Sequence, residues 1–117
     1  MTAVGRAQLI AALYAAFNAR RIDVVLEHLS DDVDWANAWE GGRLRGSETV
    51  REYWTRQWSE IDPTVEPRGF TTLADGRIAV EVHQTVRGLD GSLIGEGDVT
   101  HVFGFDGDLI ARMDVQE

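Results

Sequence analysis

Residues 73–115 read LADGRIAVEVHQTVRGLDGSLIGEGDVTHVFGFDGDLIARMDV, and this stretch decides the fold. Three Asp-Gly pairs punctuate it at nearly even spacing: Asp75-Gly76, Asp90-Gly91 and Asp106-Gly107. Asp-Gly is among the strongest short hairpin signals, because both residues tolerate positive φ. Segments of strand character lie between the pairs, at residues 77–87 and 92–105. Residues 65–73 before them and 109–115 after them complete a four-strand antiparallel meander. Gly95, Gly97 and Gly104 fall inside one long strand, where glycine marks bulges or a strong bend. The sheet is therefore expected to be curved.

Upstream of the meander the pattern is helical. In Ala3–Asn18 the residues Leu9, Ile10, Leu13, Tyr14 and Phe17 share one face at helical spacing. Ile22, Val25, Leu26 and Leu29 repeat that spacing in a short second helix, with Ser30-Asp31-Asp32 as its expected end. Residues 33–38 read as a short strand, turned by Gly41-Gly42 into a second strand centred on Leu44. Ser47 is the expected N-cap of a third helix, with Glu48 in its first turn. Val50, Tyr53, Trp54, Trp58 and Ile61 form its apolar stripe, and Asp62-Pro63 stops it. Helix–helix–hairpin–helix–meander is an α+β plan. The expected architecture is a cone, with three N-terminal helices packed on a strongly curved, mostly antiparallel sheet. A cone has an interior, the first hint of a small-molecule pocket.

Composition narrows the functional classes. At 117 residues the chain is read as a single domain, 1–117. Its 20 acidic residues outweigh 11 basic ones, all of them Arg, for a net charge of -9. Such a chain is a poor partner for nucleic acid or for an anionic membrane surface. With no Cys, disulfides, thiolate metal sites and Cys nucleophiles are excluded. No signal peptide or membrane span is visible, and a cytoplasmic location is expected. No Gly-rich phosphate loop, nucleophile elbow or metal-ligand spacing motif occurs, so neither a cofactor nor a metal is expected.

Alternation along the strands sorts the polar candidates. Gly97, Val99, His101, Phe103 and Phe105 share one face, expected to be the inner one. His101 is then either a core histidine satisfied by a neighbour or a pocket acid/base. Ile78, Val80, Val82 and Val86 leave His83 on the opposite face with Glu81 and Thr85, toward solvent or a subunit interface. Asn37, two residues from Trp35, is either a pocket hydrogen-bonder or a strand-end residue bonding local backbone. Arg112 and Asp114 on one face of the last strand read as an ion pair. Tyr14 lies on the first helix's stripe within reach of a cavity.

The motifs LYAAFNARRIDVV (residues 13–25), LSDDVDW (29–35), LRGSETVREYW (44–54) and VFGFDGDLIARMD (102–114) span nearly the whole chain. In that order they resemble the nuclear transport factor 2-like superfamily, in its SnoaL-like and ketosteroid-isomerase-like branch. The resemblance implies a cone-shaped fold. It does not imply one activity, since isomerases, polyketide cyclases, epoxide hydrolases, dehydratases and pure binding modules share the fold. In the isomerase pattern the first-strand base position falls on Asn37, which cannot act as a base. The oxyanion-hole acid position falls on His101. The helix Tyr position falls on Leu13, one residue before Tyr14. In the limonene-epoxide-hydrolase pattern Asn37 and Asp114 match, while Trp35, Glu81 and His83 replace other residues.

The resemblance thus implies that Asn37, His83, His101 and Asp114 line one pocket, overriding the outward reading of His83 and Asp114. The expected roles are His83 or His101 as proton carrier, Asp114 as orienting partner or base, and Asn37 as hydrogen-bond anchor. Trp35, Tyr14, Trp54 and Phe103 are expected to form the apolar wall. The function this implies is acid/base chemistry on a small, largely apolar organic substrate. The alternative is a non-catalytic ligand-binding or scaffold module. A homodimer is expected, through the outer sheet face in the binding-module reading.

Overall fold

The computed structural model describes residues 3–116. Its elements run α1 (Ala3–Asn18), α2 (Ile22–Glu27), β1 (Leu29–Ala36), β2 (Arg43–Arg45), α3 (Ser47–Glu60), β3 (Ile61–Thr72), β4 (Ile78–Gly88), β5 (Leu93–Asp106) and β6 (Leu109–Gln116). The six strands form one sheet in the order β2-β1-β6-β5-β4-β3. Every pairing is antiparallel except that of β1 with β6, which is parallel. The fold is the α+β cone expected from the sequence, with the helices on one face of a curved mixed sheet.

Gly76, Gly91 and Gly107 all take positive φ, but their Asp partners do not. Instead, Asp75 Oδ1 accepts from the Arg77 amide at 3.1 Å and Asp90 Oδ1 from the Ser92 amide at 3.0 Å. Asp therefore shapes these turns through its side chain, and glycine supplies the left-handed residue. Register shifts bend the sheet at Val86/Arg87 opposite Gly95, and at Gly104/Phe105. Gly97 sits in regular ladder opposite Gln84 and marks no bulge.

Three local expectations are corrected. β1 begins at Leu29, so Ser30-Asp31-Asp32 is strand and not a helix end. A register shift between Leu29 and Asp34 admits these residues, with Asp31 and Asp32 exposed and Leu29 buried. The tie that starts β1 early is the Ile110 amide donating to the His28 carbonyl at 2.9 Å. The N-cap of α3 is Gly46, at φ 95, and no side chain caps it. Finally, Ile61 is extended and opens β3 directly after α3, as the pre-proline restriction at Asp62 favours.

The core lies between the helices and the inner face of the sheet. Ile10, Val25, Val33, Val50, Val80, Phe103 and Ile110 are fully buried there. Phe17, Trp35, Trp54 and Trp58 join through edge-to-face and stacked rings. Among the described residues no helix is long and apolar enough to cross a membrane.

Candidate functional site

The open end of the cone holds a cavity of about 340 Å³. Helix α1 contributes Leu13, Tyr14 and Phe17, α3 contributes Tyr53, Trp54 and Gln57, and Trp35 of β1 lies on the floor. The sheet adds Gln84, Val86, His101, Met113 and Val115. These inner-face positions follow from the register, which pairs Val80 with His101 and His101 with Val115.

His101 and Tyr14 meet at this wall. Tyr14 Oη lies 2.7 Å from His101 Nδ1, with ring centroids 5.9 Å apart and 19° between planes. Phe103 stands edge-on to both rings. Burial disfavours the charged form of each group. It pushes the His101 imidazole down to about 4 and the Tyr14 phenol well above its usual range. Nε2 of His101 has no hydrogen-bond partner among the described residues and is not among the fully enclosed unpartnered atoms. A second polar pair sits on α3. Gln57 Nε2 donates to Tyr53 Oη at 3.2 Å, and burial raises the Tyr53 phenol to about 12.

Of the eight residues singled out from the sequence, Tyr14, Trp35, Trp54 and His101 line the cavity. Phe103 is fully buried behind that wall, packed on Tyr14, Trp35 and His101. The expectation that Asn37, His83 and Asp114 share the pocket with His101 is corrected, because none of the three lines it.

His83 lies across from Asp98 on the outer face, where Nδ1 meets Asp98 at 2.7 Å and Nε2 meets Glu96 at 3.1 Å. Hydrogen bonds from Asp98 and then Glu96 raise its pKa. Alternation placed His83 on that face, and the register does the same.

Asp114 is held by Arg112 at 2.9 Å and by Arg43 at 2.9 Å. Both guanidiniums also reach Asp34, closing a ring of four charges on the outer face. Chiefly the Arg112 hydrogen bond keeps the Asp114 carboxyl below the usual range. Asn37 is a turn residue, its Oδ1 accepting from the Glu40 amide at 2.8 Å and its backbone bonding Gly41 and Gly42. Among the described residues no three metal-ligating side chains converge.

Sequence reading passed over Tyr53, Gln57, Gln84 and Trp39. A signal for Gln57 existed, since Val50, Tyr53, Trp54 and Gln57 share the buried stripe of α3. A polar residue on such a stripe needs a partner or a cavity.

The SnoaL-like domain family matches residues 10–113. The chain belongs to that family. An NTF2-like protein of unknown function from Burkholderia pseudomallei superposes with a TM-score of 0.84 at 22% identity, covering 99% of this chain and 91% of that one. TerC, co-crystallised with polyporic acid, gives a TM-score of 0.82 at 24% identity, over 95% and 89% of the two chains. SalBIII, an epoxide hydrolase/cyclase-like enzyme of pyran ring formation in salinomycin, gives 0.81 at 18%, over 95% and 88%. At these identities the likeness is one of fold. No curated protein sequence matches the chain.

Proposed function

We propose that this SnoaL-like chain binds a small, largely apolar organic molecule in the cone and performs acid/base chemistry on it, as an isomerase, cyclase, dehydratase or hydrolase. The observation that carries the reading is the Tyr14–His101 pair on a mostly apolar wall. The Tyr14 hydroxyl is un-ionised and has one acceptor in reach among the described residues, His101 Nδ1. Tyr14 therefore donates to Nδ1, and the imidazole proton sits on Nε2. Nε2–H then donates to a carbonyl or epoxide oxygen of the substrate and stabilises negative charge as it develops there, the α-proton of a ketone passing to water, since no carboxylate is among the described lining residues. Burial opposes a free tyrosinate at Tyr14, so this donation works as a strong hydrogen bond more than as a completed transfer. Trp35, Trp54 and Tyr14 hold the apolar skeleton. Support from relatives is of the same kind, a bound polyporic acid in one and ring-forming chemistry in another.

The test is hydrogen exchange in D2O, following α-deuterium uptake into small cyclic ketones and enones by mass spectrometry. The chain should catalyse uptake, and His101→Phe should slow it by at least ~10-fold. Equal rates with the parent, the variant and no protein would sink the enzyme reading. The second reading, a binding module without turnover, is favoured by one observation: no carboxylate is among the described residues lining the cavity. In either case we read the outer sheet face as the seat of a second copy. Sedimentation at the mass of a monomer throughout the micromolar range would count against that dimer.

A further inference from the structure

Every polar side chain on the cavity wall is uncharged. Tyr14, Tyr53, Gln57, Gln84 and His101 carry its polar groups, and no Arg, Asp or Glu stands among the described lining residues. Two guanidiniums touch lining side chains, and both are neutralised. Arg20 lies 5.6 Å from the centroid of the Phe17 ring but is paired with Asp62. Arg56 lies 6.0 Å from the Tyr53 centroid but is paired with Glu40. Arg43 and Arg112 are spent on Asp34 and Asp114 on the other side of the sheet. Ile94 adds an apolar lining residue that is itself 61% exposed.

A ligand ion entering this cavity would lose its hydration and meet no counter-charge, which costs several kcal/mol. An anion also works against the net charge of -9. Resting on the cavity reading above, we propose that the site takes an uncharged, ring-bearing ligand with a carbonyl- or hydroxyl-type oxygen, and rejects the same skeleton carried as a carboxylate or an ammonium. The wall's own titratable groups behave alike: burial keeps His101, Tyr14 and Tyr53 in their neutral forms.

Three near-isosteric probes test this by calorimetry at about pH 7: 2-acetylnaphthalene, 2-naphthoate and 2-naphthylmethylammonium. The ketone is expected to bind, and both ions at least ~100-fold more weakly. An ion within ~10-fold of the ketone overturns the charge inference while leaving the cavity reading standing. Failure of all three overturns both. Gln84→Arg places the missing cation on the wall. It should tighten 2-naphthoate by at least ~10-fold while the ketone still binds. Undiminished rejection of the anion by a variant that binds the ketone refutes the missing counter-charge as the cause.

Discussion

Replacing His101 by Phe should change how stability depends on pH more than it changes stability itself. In the folded chain burial holds the imidazole at about 4, against an ordinary value of 6.5. Between those limits the unfolded chain binds a proton that the folded chain refuses. Stability is therefore fully present above about pH 6.5 and falls as the pH drops toward about 4, where the loss is complete. At ~1.4 kcal/mol for each pH unit the loss is about 3 kcal/mol, and about 2 kcal/mol once the ring's partial exposure is allowed for. The assay is guanidinium unfolding from about pH 7.5 to about 4.5, read as the midpoint against pH.

Between about pH 6.5 and 4.5 the parent midpoint should fall, and that of His101→Phe should stay nearly level. The variant also strands the Tyr14 hydroxyl, a constant penalty that moves the whole curve and leaves its slope alone. Asp34 and Asp114, both lowered from 3.8, lose their contribution only below that value. His83, raised from 6.5, contributes fully below 6.5 and loses its contribution as the pH climbs through its raised value. Parallel curves for parent and variant between about pH 6.5 and 4 would refute the argument that burial holds His101 neutral.

Tyr14→Phe should lower stability by about 1–3 kcal/mol, since it leaves Nδ1 without its donor. In the parent, ¹⁵N shifts should show the His101 proton on Nε2, and the variant should lose that bias. A proton found on Nδ1 in the parent contradicts the assigned direction of the bond. His83→Gln should abolish the decline in stability that the parent shows above pH 6.5, checked by the same unfolding series on the alkaline side. Asp114→Asn opens the ring formed with Arg43, Arg112 and Asp34, and should cost ~1 kcal/mol, shrinking as salt is raised. A larger, salt-insensitive loss on thermal unfolding would mean that packing rather than charge is at stake. Gly46→Ala should lower the melting temperature, because Gly46 holds φ 95, a backbone conformation strained for an L side chain.

The meander was legible because two local signals agree along it. Alternation puts Ile78, Val80 and Val82 on one face, and each Asp-Gly pair ends a run. Ser30-Asp31-Asp32 misled because Ser and Asp are good helix-end residues by propensity. Their strand state depends on β6, about 80 positions away in sequence, which no local pattern encodes. The site divides in the same way. The phase of β5 places His101 beside Phe103, and the stripe of α1 holds Tyr14. Their meeting across 87 positions is a product of packing. The resemblance pulled His83 and Asp114 inward, whereas each has fixed partners outside: Asp98 and Glu96 for one, Arg43 and Arg112 for the other. Gln57 was readable in principle, as the polar member of an otherwise apolar stripe.

The parallel pairing of β1 with β6 also bears on the order of folding. The sixth strand in chain order, Leu109–Gln116, lies inside the sheet, and β1 with β2 reaches β3, β4 and β5 only through it. While the chain is being synthesised, β3, β4 and β5 zip as neighbouring hairpins, each closed by a short turn. Helices α1 and α3 can pack on β3 early, but strand β1 has no strand of that sheet to pair with, apart from β2, until β6 has been made. Closing so long a span is slow, because its entropy must be lost before the contacts form. Until then β1 keeps the edge that β6 will cover unpaired, and a chaperone that surveys nascent chains would find its target at that edge.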